Sequence, residues 1–235
     1  MTRLGVVGGH SILGSGYGSA LPHRQIAIDG ADAVTLLESD EHVVLHRHGV
    51  DSYTPAHLVN HVANLRALAE AGCERVLAIS SVGGLRTELA VGTFVAPDDF
   101  IALDTSIAVH HDARSHLVPH FDQEWRSNIL RAASDAGTPV RDGGVYWQST
   151  GPRFETRAEV RFIARFADVV GMTAASEAIV AQELGLSYAV VCVVDNLANG
   201  IAEQPLTTDE FEAGKRATRT SVLALLDAIV PVLAG

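Results

Sequence analysis

The sequence predicts a single α/β domain over residues 1–235, with a mixed or parallel sheet covered by helices on both faces. Three observations carry that expectation. Short, continuous, β-branched apolar runs alternate with stretches of helical periodicity. A chain of 235 residues buries a sizeable core without disulfide or metal staples. Finally, 47% hydrophobic against 19% charged residues, with ordinary glycine and proline, excludes disorder, collagen and coiled coil.

The elements follow in order. Strands are expected near Leu4–Val7, Ala33–Leu37, Val43–Leu45, Val76–Ser80, Thr93–Ala96, Asp168–Met172 and Tyr188–Val194, most of them short, β-branched and continuous. Helices are expected over Pro55–Ala71, Glu124–Ala136, Arg157–Arg165, Ala175–Leu184 and Thr208–Val232, where apolar residues recur at three and four. No repeat or linker interrupts them. Residues Asp104 to Asp122 read as a long structureless loop, which in a compact domain is functional or lies at an interface.

Seventeen basic against 28 acidic residues give a net charge of −11. Such a surface repels nucleic acid and anionic lipid, so neither is an expected partner. Cys73 and Cys192 sit in apolar runs without further ligands at metal spacing and read as reduced core residues. The amino terminus carries no apolar signal region, and no apolar run approaches membrane-spanning length, so a cytoplasmic protein is expected.

Three glycine-rich turns follow strands: GVVGGHSILGSG, HRHG and ISSVGGL. Glycine after a strand lets backbone N–H groups face an anion. The dinucleotide glycine spacing and the GK[ST] element are both missing, so a small anion such as orthophosphate fits better than NAD or ATP. Among 11 histidines, His57 and His61 lack the glutamate of a zinc-protease helix, while His110, His111 and His116 read as solvated or interface residues. No metal is expected. No G-x-S-x-G elbow supports a serine hydrolase.

The most specific stretch runs from STGPRFET through GMTAASEA to VVDN. With Gly8-Gly9, the RHG at Arg47, SSVGGL, Glu177 and Asn196 in the same order, the chain resembles the trimeric purine nucleoside phosphorylase and methylthioadenosine phosphorylase family over nearly its whole length. The resemblance implies a twisted mixed sheet with helices on both faces, the nucleoside phosphorylase fold. It also implies a homotrimer with active sites near subunit interfaces, and orthophosphate as co-substrate without metal or organic cofactor. The phosphate cradle would comprise Gly9, His10, Ser11, Arg47, His48, Ser80, Ser81 and Thr173, with Arg47 as a fork-shaped cation and His48 as a ring N–H donor. Thr173 also reads as a helix N-cap, a role compatible with phosphate. The nucleoside would meet Val82, Gly83, Phe154, Glu155, Gly171, Met172, Asp195 and Asn196, with Thr208, Glu212 and a neighbour's His116–Phe121 segment near its 5′ end.

Glu155, Asn196 and His48 are the implied catalytic residues. Family members acting on 6-oxopurines carry Glu and Asn at the two base positions, whereas methylthioadenosine enzymes carry Ser and Asp. Glu155 accepts a purine N1–H, and Asn196 bridges O6 and N7. Glu155 also reads as a first-turn acid favoured by the helix dipole, and Arg153 as a salt-bridge partner. Two departures stand out: His10 replaces a hydroxyl residue, leaving Ser11 to supply one, and Asp195 replaces a threonine, where a carboxylate titrates high or pairs with a donor. The implied activity is phosphorolysis of inosine, guanosine or methylthioinosine. Methylthioadenosine phosphorolysis, nucleoside hydrolysis and a catalytically degenerate nucleoside-binding protein remain the alternatives.

Overall fold

In the computed structural model, which describes residues 3–50, 52–202 and 207–235 and only the backbone at 208 and 210, the described strands join one mixed sheet. The strands are β1 (Arg3–Gly8), β2 (His23–Ile26), β3 (Val34–Glu38), β4 (His42–His46), β5 (Cys73–Gly84), β6 (Phe94–Ala96), β7 (Asp99–Ile101), β8 (Val140–Asp142), β9 (Val145–Gln148), β10 (Val169–Gly171) and β11 (Ser187–Leu197). The helices are α1 (His61–Glu70), α2 (Gln123–Asp135), α3 (Arg157–Ile163), α4 (Ala174–Glu183) and α5 (Thr208–Ala234).

The central strands β4, β1, β5 and β11 are parallel. Their side chains alternate between two covered faces, as the twofold period of a strand requires. Val76, Ala78, Val190, Cys192 and Val194 pack with Leu65 and Leu68 of α1 and Ala178 and Ala181 of α4. Leu77, Ile79, Val191 and Val193 pack with Trp125 and Ile129 of α2 and Val222, Leu225 and Ile229 of α5. Both faces are apolar because both are covered, which is why these strands read as unbroken runs.

One irregularity of the sheet positions the site. Strand β5 pairs with β1 only as far as Ile79 opposite Gly8, and with β10 only from Gly83 onward. Between these pairings, Ser80, Ser81 and Val82 have β11 on one side and no strand on the other. The sheet forks there.

Several expectations need correction. The Pro55 helix starts six residues late: Ala56–Leu58 is a 3₁₀ turn, Val59 is extended, and the Asn60 side chain caps α1 by accepting from the Ala63 N–H. His57 and His61 therefore do not share a helix. Strands β2, β7, β8 and β9 were not foreseen, because three or four residues are too few to show a period. The 104–122 segment is not structureless, since Ala113–Ser115 is a 3₁₀ turn and the Glu183 carboxylate accepts from the Val109 and His110 N–H groups and the Ser115 hydroxyl. Phe211–Ala234 is long and apolar enough to cross a membrane by length and composition, contrary to the run-length reading. In the fold, Val222, Leu225, Leu226, Ile229 and Leu233 of this helix are core residues.

Candidate active site

Loops from the carboxyl ends of β1, β4, β5, β9, β10 and β11 converge on the fork and enclose a cleft of about 170 Å³. Its wall carries His10, Arg47, His48, Ser80, Ser81, Val82, Gly83, Phe154, Glu155, Gly171, Met172, Thr173 and Asn196. These thirteen expected site residues come from six separate segments. Gly9, Ser11 and Asp195 stand behind the wall, and the Thr208 side chain lies outside the described residues.

At the anion end, Arg47 is not a free cation. Its Nε donates to Glu177 Oε1 at 2.5 Å, its Nη2 to Glu177 Oε2 at 2.7 Å, and its Nη1 to the Ile79 carbonyl at 3.1 Å. Both side chains are buried. Glu177 also accepts from the Tyr188 hydroxyl at 2.7 Å, and His61 Nδ1 stands 3.7 Å away. Burial raises the Glu177 carboxyl, but the adjoining Arg47 charge outweighs it and holds the group far below the usual range. A guanidinium has five N–H groups, so two remain for a ligand. His61 is thus buried beside this ion pair, with no hydrogen-bond partner for its Nδ1 among the described residues.

Gly9 serves this arrangement from behind. A Cβ there would lie 2.5 Å from Arg47 Nη1. Gly9→Ala is expected to displace the guanidinium and raise the KM for phosphate about tenfold, the cost of one misplaced charge-assisted bond. Steady-state kinetics with varied phosphate checks it, and the KM for nucleoside should change little.

His48 departs from its expected role. Its Nδ1 lies 2.8 Å from the Thr54 carbonyl, so the ring N–H is spent on the backbone. Burial, and next the Arg47 charge, push its pKa down to about 4. The His10 ring covers it at 4.2 Å between centroids, with His10 Nε2 2.9 Å from the Tyr53 hydroxyl. Burial and then His48 push His10 down to about 3. Both rings are neutral at neutral pH.

Thr173 is the N-cap of α4 but makes no side-chain capping bond. The fully buried Tyr146 hydroxyl faces the first amides instead, accepting from the Thr173 and Ala174 N–H groups at 3.2 and 3.3 Å. The Thr173 hydroxyl is left for the cleft beside Ser80. Ser11 stands behind the wall, and its buried Oγ has no hydrogen-bond partner among the described residues.

At the other end, a β-bulge decides which polar side chain faces the cleft. Val194 pairs with Val82 and Asn196 with Gly83, so Asp195 is the extra residue. An unbroken register would set Asp195 beside Gly83. The bulge turns Asp195 away to accept from the Thr218 hydroxyl of α5 at 2.6 Å, and gives its place to Asn196, whose Nδ2 donates to the Leu197 carbonyl at 2.9 Å. Asp195 thus leaves the substrate set. Helix α5 approaches closely enough for this because residue 214 is glycine, where a Cβ would lie 1.8 Å from the Asp195 carbonyl oxygen.

Asp195 both titrates high and pairs, as its chemistry allows. Burial raises its pKa, and the Thr218 and then the Ser81 hydroxyl lower it less. A carboxyl whose folded pKa is raised favours the fold below its free value of 3.8 and disfavours it above the folded one. Asp195→Asn should therefore raise Tm by about 2–4 °C at pH 7, the effect of roughly 1 kcal/mol in a chain this size. The gain should vanish in acid, which thermal melts across pH will show.

Glu155 is not the first-turn acid of α3. Thr156 is the N-cap, and Glu159 closes the capping box while also binding Arg153 through two 2.8 Å contacts. The Glu155 side chain makes no such bond and stands on the cleft wall. Phe154 meets Phe211 edge to face at 5.2 Å. Tyr53, Pro55, Ala56, Pro152, Val170, Ala198 and Phe211 complete the cleft without having been foreseen, because which loop, strand-end and helix residues meet there depends on the tertiary fold and not on a local period. Glu212, expected near a 5′ group, pairs with Lys215 at 2.9 Å. Among the described residues no cluster of His, Cys, Asp or Glu has metal-site geometry.

A model described as the phosphorylase superfamily matches residues 19–231. Three relatives illustrate the similarity. The chain is 34% identical over 225 residues to the 6-oxopurine nucleoside phosphorylase of Pyrococcus furiosus, covering 90% of this chain and 83% of that one. It is 40% identical over 191 residues to a "Probable 6-oxopurine nucleoside phosphorylase" of Archaeoglobus fulgidus, with 80% and 79% covered. It is 38% identical over 190 residues to a "Probable S-methyl-5'-thioinosine phosphorylase" of Methanocaldococcus jannaschii, with 77% and 73% covered. The structure of the Schistosoma mansoni methylthioadenosine phosphorylase with adenine superposes with a TM-score of 0.86 at 26% identity, over 99% of this chain and 92% of that one.

Proposed function

The chain belongs to the phosphorylase superfamily, and from that premise we propose that it is a purine nucleoside phosphorylase, a pentosyltransferase that cleaves 6-oxopurine ribonucleosides with orthophosphate. The observation that carries this reading is one cleft with an anion end of Arg47, Ser80 and Thr173 and a base end of Glu155 and Asn196.

Phosphate attacks C1′ as the glycosidic bond breaks, through a loose transition state that leaves positive charge on the sugar and negative charge on the purine. The protein has little covalent work to do. It positions the anion and stabilises the departing base. The two remaining Arg47 N–H groups and the Ser80 and Thr173 hydroxyls donate to phosphate. Met172 and Phe154 line the space between the two ends. The free N–H of Asn196 donates to O6, its carbonyl oxygen accepts from N7 once the departing purine takes up a proton there, and Glu155 accepts N1–H. Glu155 with Asn196, in place of Ser with Asp, favours a 6-oxopurine over methylthioadenosine.

The reading includes no metal or organic cofactor, a cytoplasmic location and a role in purine salvage. It also includes a homotrimer in which the 104–122 segment, with exposed Leu117 and Val118, reaches a neighbour's site. The decisive experiment measures hypoxanthine released from inosine with and without phosphate. Strict dependence on phosphate is expected, and release without it would identify a hydrolase. Rates on inosine, guanosine, methylthioinosine and methylthioadenosine then identify the 5′ substituent and base.

A further inference from the structure

We propose that His48 meets the anion as a hydrogen-bond acceptor, so that this site selects oxyanions carrying a proton of their own, phosphate and arsenate, over sulfate. The proposal rests on the phosphorylase reading for the place of the anion, and on the geometry of the ring for the rest.

A backbone carbonyl only accepts, so the 2.8 Å contact to Thr54 fixes the hydrogen on His48 Nδ1. In the neutral ring Nε2 then holds a lone pair, and no described residue engages it. His48 lines the cleft beside the Arg47 guanidinium, which only donates, and the Ser80 and Thr173 hydroxyls, each of which can turn its hydrogen toward an anion. The site is therefore a set of groups that can all donate to an anion, with one nitrogen among them that can only accept. A neutral ring is what its surroundings favour. Arg47, with Glu177 and His61 beyond it, lies on one side, and Tyr53 stacks on the ring while His10 packs tilted against it, with the Lys215 charge close to His10. The single carboxylate in that set, Glu177, is already held by Arg47. Burial and the neighbouring cations thus oppose a charged ring, in keeping with its lowered pKa.

Monohydrogen phosphate supplies one O–H to Nε2 and keeps its remaining oxygens for the donors. Its binding needs no proton from solution. Sulfate at neutral pH has no hydrogen, so it sets an oxygen lone pair against the Nε2 lone pair unless the ring first takes up a proton. The same proton is accounted for in both cases: phosphate brings it and sulfate must recruit it.

The test is calorimetric titration of the full chain with inorganic phosphate, arsenate and sulfate, at a pH where free phosphate is the monohydrogen dianion. Each titration is run in two buffers of different ionisation enthalpy to count protons. Phosphate and arsenate should bind alike with no net proton exchange. Sulfate should bind at least tenfold more weakly, the effect of losing one charge-assisted bond, and should take up close to one proton. Its affinity should rise as pH falls. His48→Asn, whose amide donates or accepts by rotation, should bring sulfate to within about threefold of phosphate. Sulfate binding as tightly as phosphate in the parent without proton uptake overturns the proposal, as does a parent that binds no phosphate. A parallel assay of base release from inosine with arsenate separates the two readings: anion selectivity without turnover overturns the phosphorylase reading alone, and turnover without selectivity overturns the His48 role alone.

Discussion

Arg47→Ala should abolish measurable use of phosphate and destabilise the protein together, because the guanidinium has two duties. Its loss leaves Glu177 ionised in a fully buried site with only the Tyr188 hydroxyl and His61 nearby. Breaking one side of a buried ion pair costs about 3–5 kcal/mol. The two duties separate in the double variant Arg47→Met with Glu177→Leu, in which no charge is stranded. It should regain most of the lost stability in urea unfolding while phosphate-dependent release of hypoxanthine stays absent. The acid limb of stability should change as well. Glu177 titrates below its free value of 4.5 in the folded protein, so its contribution is present above that pH and lost as pH falls through the folded value. The double variant should lack that component. An Arg47→Ala protein with the parent's phosphate KM would place the anion elsewhere in the cleft.

Asn196→Asp should invert the preference at the base end. A carboxylate offers no N–H to O6, yet accepts the exocyclic amino group of a 6-aminopurine. It also faces the Leu197 carbonyl that Asn196 Nδ2 now satisfies, so the variant carries a repulsion in addition to the lost bond. One mispaired buried polar group costs about 1–3 kcal/mol, or roughly tenfold to more than a hundredfold in the ratio of inosine to adenosine kcat/KM. Equal changes for both nucleosides would remove Asn196 from base recognition. Phosphate KM should hold steady, since Arg47 and Thr173 lie at the other end of the cleft.

The sequence by itself determined the fold class, which is written in local signals, and its likeness to a known family implied most of the cleft wall. Val76–Ser80 and Tyr188–Val194 are covered on two faces and therefore read as continuous apolar strands. The glycines after Val7, His48 and Val82 mark strand ends, where a parallel sheet collects its loops. Chain order and residue type in HRHG, SSVGGL, GPRFE and GMT then sufficed for the family resemblance.

The tertiary structure decided how those groups are used. Arg47 is tied to Glu177, 130 residues away, and no periodicity couples two positions so distant. His48 is an acceptor because a loop returns the Thr54 carbonyl to its Nδ1. Asn196 faces the cleft and Asp195 does not because a bulge shifts the β11 register by one, and a one-residue shift exchanges the two faces of a strand. Periodicity and turn chemistry depend on residues a few positions apart, so they are legible along the chain. The partner of a buried polar group depends on which distant segments the sheet brings together, and that is settled only when the fold closes.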